Sequence, residues 1–171
     1  KQTGLALHHF HDAQRHFPPG RGAPAPRVFS AHAYLLPYFE EGSISDQIDY
    51  TQAPTSLVIA GVPYSGMKNS AAAASVVPVL QCASDASAGR VPGSTFGGTS
   101  YAACVGSGLV GSGTLVKADG VFFLGSAVSF RNLTDGSSHT AAFRERMLGS
   151  GQPLSATAIS SAEPYILELL S

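Results

Sequence analysis

Pro18-Pro19-Gly20 limits the fold more than any other stretch, because no helix entering these residues can leave them. Proline lacks the N–H that an α-helix needs in its interior, and its ring collides with the preceding turn. Upstream, Leu5, Leu7 and Phe10, with Ala6 between them, recur at helical spacing. The sequence therefore predicts one helix from Lys1 to about His16, cut off by the proline pair. The chain opens at Lys1, already inside that pattern and without a capping residue. This is the expectation for a helix that enters from an upstream segment. Residues 18–27 (PPGRGAPAPR) are expected to form an extended, exposed loop.

After the loop, Ser30 is placed to cap a helix holding Tyr34, Leu35 and Leu36, with Pro37 tolerable only near a first turn or a break. Residues 38–48 predict a short helix or turn, and 67–76 (MKNSAAAASV) a short Ala-rich helix. From Val77 the pattern changes to short strands. These are expected at 77–82, Tyr101–Val105, Val121–Leu124, Ala127–Phe130 and Thr140–Met147, with Gly125-Ser126 turning a hairpin and a Gly/Ser loop at 106–113. Residues 150–164 are Ser/Ala-rich, and 165–170 are apolar enough to dock back. Helices first and antiparallel strands later define an α+β fold, with the N-terminal helix packed on a C-terminal antiparallel sheet. The 171 residues suit one domain, 1–171.

Composition narrows the function classes. Hydrophobic residues make up 44% of the chain, enough for a packed interior, whereas charged residues are only 12%. Gly, Ser and Ala stand in for Lys and Glu, a balance that fits a secreted or cell-surface protein. The net charge is −1 and the ten Lys and Arg are scattered, so nucleic acid is excluded as a partner. No apolar stretch reaches the roughly 20 residues that span a bilayer. Cys82 and Cys104 form an even pair. A disulfide between them would close a loop of about twenty residues, worth about 3 kcal/mol. Two buried thiols are the alternative.

Three segments carry a family resemblance: KQTGLALHHFHDAQRHFPPG at 1–20; AYLLPYFEEGSISDQID at 33–49 with VLQCASD at 79–85; and TSYAACVG at 99–106 leading to DGVFFLGSAVSFRNLTDGSSHTAAFRERMLG at 119–149. In this order and spacing they resemble the bacterial prepilin-type cleavage/methylation proteins whose soluble domain is of unknown function. The resemblance covers residues 1–149 and is similar to type IV pilins and to the pseudopilins of type II secretion. It implies a cleaved leader and an apolar helix upstream of Lys1, an inner-membrane anchor, and an extracytoplasmic head. It also implies partners among other pilin-like subunits and a structural, non-enzymatic role. His139 stands where that family usually has Asn, and Ala83 where Pro is common after Cys. A later His-to-Asp-Gly motif has no counterpart before Ser171, so no role tied to it transfers.

Residues able to do chemistry each have a structural explanation. His8 and His11 share a helix face and could ligate zinc, but no CxxC or HExxH completes a site, and packing with backbone bonds accounts for them. Asp135 and Gly136 form a turn. Ser137, Ser138 and His139 follow too closely to align as nucleophile, base and orienter. Asp119 and Asp135 are calcium candidates, since some pseudopilins bind calcium near their C-terminal region, although calcium takes six to eight oxygens. Glu145, between Arg144 and Arg146, is expected to face opposite both arginines and to serve as a buried polar anchor, with His8 as one partner. Phe122, Phe123, Phe130, Phe143, Tyr34, Tyr38 and Tyr101 are expected to pack helix on sheet. Two rival functions remain. A ligand-binding module predicts a concave pocket with a few convergent polar groups. A hydrolase predicts a pocket where several titratable groups meet.

Overall fold

The computed structural model describes residues 1–85, 89–109 and 118–148. Helix α1 spans Gln2–Gln14 and ends at Arg15, whose left-handed backbone (φ 65°) lets its N–H reach the His11 carbonyl. Ala6, Leu7 and Phe10 lie on one face and are buried, while Leu5 on another face is 56% exposed. The proline pair ends the helix as its chemistry requires, but the loop that follows is not simply extended and exposed. Phe17 and Pro18 are buried, and the backbone there is bonded to residues far along the chain.

Helix α2 (Ala31–Leu35) starts at Ser30, whose hydroxyl accepts from the Ala33 N–H at 3.4 Å. It passes directly into a 3-10 turn, Leu36–Phe39, with Pro37 in the turn's first positions, where its missing N–H costs nothing. Glu40 closes this turn in a left-handed conformation (φ 63°), and α3 (Gly42–Ser45) follows. The Ala-rich segment is a 3-10 turn, Met67–Asn69, running into α4 (Ser70–Ala74).

Strands β1 (Leu57–Ile59) and β2 (Val62–Tyr64) form an antiparallel hairpin that the sequence pattern did not reveal. Ala60 and Gly61 both have positive φ, 50° and 80°, as a two-residue loop of the primed type needs. Strands β3 (Tyr101–Ala103) and β4 (Phe143–Glu145) pair antiparallel, Tyr101 opposite Glu145. Bonds from Cys104 N–H to Ala142 O (2.9 Å) and from Arg146 N–H to Ser100 O (2.7 Å) extend the ribbon at both ends. The fold is thus α+β, with an N-terminal helix and small antiparallel sheets, each of two strands.

Two expected strand regions take other forms. Residues 77–82 hold a 3-10 turn, Pro78–Leu80, because Pro78 fixes φ and brings no N–H to a ladder. Residues 121–130 form no hairpin. Their backbone groups bond the segment after α1: Phe17 N–H to Val128 O (2.7 Å), Gly20 N–H to Phe123 O (3.0 Å) and Gly125 N–H to Arg21 O (2.8 Å). Gly20 is required for this approach, since a Cβ there would lie 2.6 Å from the Phe122 carbonyl carbon. Phe130 opens another 3-10 turn, Phe130–Asn132, capped by Ser129. The expectations for residues 110–113, 150–164 and 165–170 fall outside the described residues.

The main core joins Ala6, Leu7 and Phe10 of α1 with Phe17, Ala31, Leu35, Val121 and Phe122. Tyr34, Tyr38, Phe130 and Phe143 pack around it, and a smaller cluster of Leu36, Val77 and Leu80 takes in Tyr101. Phe122, Phe130, Phe143, Tyr34 and Tyr38 thus pack with α1 in the main core, Tyr101 joins the smaller cluster, and Phe123 belongs to neither. Asn69, 2% exposed, organises the loop before β1. Its amide donates to the Asp49 carbonyl (3.1 Å) and the Ala53 carbonyl (2.8 Å), and its oxygen accepts from the Asp49 N–H (2.8 Å). Asn69→Leu would leave those backbone groups unpaired in the interior. Chemical denaturation should show a loss of about 2–3 kcal/mol, whereas a change within about 0.5 kcal/mol would mean that the loop does not depend on this side chain.

Candidate functional site

A cleft of about 350 Å³ opens between α2 and the β3–β4 ribbon. Capping by Ser30 sets the start of α2 and so places His32 in the cleft wall. Pairing of β4 with β3 brings Arg146 to the same wall, and Arg21 enters from the loop behind α1. Ser30 and Thr99 add hydroxyls, and Phe122 lies at the apolar side. A second cleft of about 200 Å³ shares Ser30, His32, Pro54 and Thr99 with the first.

His32 is the most perturbed group in this region. Its pKa is lowered from 6.5 to about 4, first by burial and then by the nearby Arg146 charge, while a hydrogen bond to the Tyr101 backbone works the other way. The ring lies 5.2 Å from that of Phe143. His32 Nε2 and Arg146 Nε are both shielded from solvent without a protein hydrogen-bond partner among the described residues. A neutral imidazole beside a fixed cation can accept a hydrogen bond through Nε2.

The profile of a protein family described as "protein of unknown function (DUF1559)" matches residues 1–164. The chain belongs to this family. Neither a curated protein nor a solved structure matches it. The DUF1559 match spans every segment on which the sequence resemblance rests.

The residues singled out from the sequence of this DUF1559 member are dispersed, and packing occupies most of them. His8 stacks on Phe130 with centroids 5.1 Å apart. His11 meets the same ring edge-on at 4.4 Å, and its Nε2 accepts from the Phe130 N–H at 3.4 Å. The two histidines thus hold α1 against residue 130. No group of three or more His, Cys, Asp or Glu among the described residues could hold a metal ion.

The calcium candidates do not assemble into a site. Both oxygens of the exposed Asp119 carboxylate bond Ser107, one to its hydroxyl at 2.6 Å and one to its N–H at 2.8 Å. These two bonds, the hydroxyl's first, hold its pKa below the usual carboxylate range. Asp135 is exposed, and its turn closes through the Gly136 N–H on Leu133 O (3.1 Å) instead of through the carboxylate. Gly136 does take the positive φ expected of it, 88°. Ser138 Oγ and His139 Nδ1 are 3.2 Å apart on the exposed side of the next turn.

Two expectations are overturned. Glu145 is exposed and is no buried anchor. It lies opposite the half-buried Tyr101 at the end of β4, yet stays exposed there, while the Nε of its neighbour Arg146 is shielded from solvent. Cys82 and Cys104 form no disulfide; both are half-buried free thiols. Cys82 follows the 3-10 turn at Pro78–Leu80, whereas the Cys104 backbone is committed to Ala142, and burial raises the Cys104 pKa. Among the described residues no helix is long and apolar enough to cross a membrane.

The depressed His32 pKa makes stability depend on pH in a definite direction. Between pH 6.5 and about 4 the unfolded chain binds a proton that the folded chain refuses, so stability falls as pH falls through that window. Denaturation at pH 7 and at about pH 4.5 should differ by on the order of 2–3 kcal/mol more in the native chain than in His32→Phe. Equal pH dependence in the two proteins would show that His32 is not held neutral by its surroundings.

Proposed function

We propose that this chain is the head of a pilin-like structural subunit, held outside the cytoplasm by an apolar upstream continuation of α1. Its work is assembly with like subunits, in a filament or a secretion apparatus, or display at the membrane surface. It catalyses no reaction. The observation that carries this proposal is the two-sided use of α1. One face, Ala6–Leu7–Phe10, is buried in the head, while Leu5, at 56% exposed, and the neighbouring Lys1, Gln2, Gly4 and His9 remain on the outside. A helix that must carry a head and also pack with copies of itself needs one face for each task. Membership of a family whose segments resemble prepilin-type proteins supports the same assignment.

The chemistry-bearing residues are consistent with a mechanical role. The His8 and His11 rings are spent on Phe130, and the Asp119 carboxylate on a loop. Force or assembly strain entering along α1 would pass to the core through Phe10 and Leu7, which share it with Phe122 and Leu35.

A photo-cross-linking amino acid at position 5 of the full-length protein, expressed in its native host, tests the proposal. Illumination should give a ladder of self-linked multimers in the membrane fraction. A monomer recovered only from the aqueous fraction would contradict it.

A further inference from the structure

We propose that the cleft between α2 and the β3–β4 ribbon binds a small hydroxycarboxylate, with its carboxylate on Arg146 and Arg21 and a hydroxyl on His32. This inference is independent of the assembly role, since the cleft and the outer face of α1 use different residues. Its first support is charge. Two arginines line the cleft, and no Asp or Glu stands among the described residues that line it. A cationic, partly enclosed cleft favours an anion, and guanidinium groups pair with planar carboxylates through parallel N–H bonds.

The second support is the state of the polar atoms. Arg146 Nε and His32 Nε2 are shielded and without a partner among the described residues. Leaving such groups unpaired is unfavourable, and an incoming ligand would relieve it. Both atoms are shielded, so a ligand meets them where the cleft wall yields around them, with the Tyr101 bond of His32 kept. The Nε edge of an arginine is one of its two-point binding edges, which is why a carboxylate suits it. His32 is held neutral and its ring already bonds the Tyr101 backbone, so Nε2 offers a lone pair. The ligand must therefore bring a donor as well as a carboxylate, and an alcohol a short distance away supplies it. Ser30 and Thr99 can serve further hydroxyls, and Phe122 gives the carbon skeleton an apolar wall. The volume, about 350 Å³, lies at the small end of the range for ligand pockets.

Calorimetric titration of the chain with galacturonate, malate and lactate tests the proposal, with galactose (no carboxylate) and acetate (no hydroxyl) as controls. At least one of the three hydroxy acids should bind saturably, and both controls should bind at least about tenfold more weakly. Arg146→Gln should weaken binding by about tenfold or more, and His32→Phe should narrow the preference over acetate. If Arg146→Gln does not fold, Arg21→Gln decides instead: its side chain is exposed, and it should lower affinity severalfold. The proposal is overturned if none of the three acids saturates below about 10 mM, if galactose or acetate binds as well as they do, or if the folded arginine variants bind undiminished.

Discussion

The contact between the inner face of α1 and the Phe122 region is what the rest of the structure depends on. Ala6, Leu7 and Phe10 come from the first residues of the chain, and Val121 and Phe122 come from more than a hundred residues later. Full burial of a side chain such as Phe122 contributes about 1.5–3 kcal/mol. A 13-residue helix in isolation is marginal in water, so α1 exists as a helix because this face is covered. The loop behind α1 reinforces the contact through backbone bonds to residues 123, 125 and 128. The same bonds explain why residues 121–130 do not fold on themselves.

That arrangement also creates the cleft. Phe17 and Gly20 bind the 121–128 segment on one side, and Arg21 is carried to the cleft's edge. Ser30 then restarts the helix, which puts His32 opposite the β3–β4 ribbon. Core and cleft share Phe122, so a residue that anchors the helix also walls the candidate site.

Local structure is legible in the sequence where a single residue type dictates the backbone. Pro18 and Pro19 end α1, Ser30 caps α2, Pro37 sits in the first positions of a 3-10 turn, and Gly136 takes positive φ. The β3 segment is also legible, since it alternates around the buried Ala102, and β4 falls inside its expected stretch with Phe143 as the inward residue. The β1–β2 hairpin is not legible because its turn is Ala60-Gly61, without the Asn or Asp that marks such loops, and because Pro63 weakens the strand pattern. Residues 121–130 alternate like a hairpin, but tertiary bonds to 17–21 claimed their N–H and carbonyl groups. The cleft was not legible at all. His32 and Arg146 stand far apart in sequence, and nothing in the 119–149 segment that holds Arg146 points to His32. Only the fold brings them together, and it also decides that the Arg146 Nε is shielded while Glu145 stays exposed.

If α1 and the late segment are one cooperative unit, α1 cannot fray on its own. Native-state hydrogen exchange measures this directly, because it reports the opening free energy of each amide. The amides of Phe10 and His11 in α1 should exchange only through global unfolding, at the same free energy as Ala102 in β3. Exchange of the α1 amides through local opening, several kcal/mol below the Ala102 value, would show that the helix is merely laid on the head and would contradict the account.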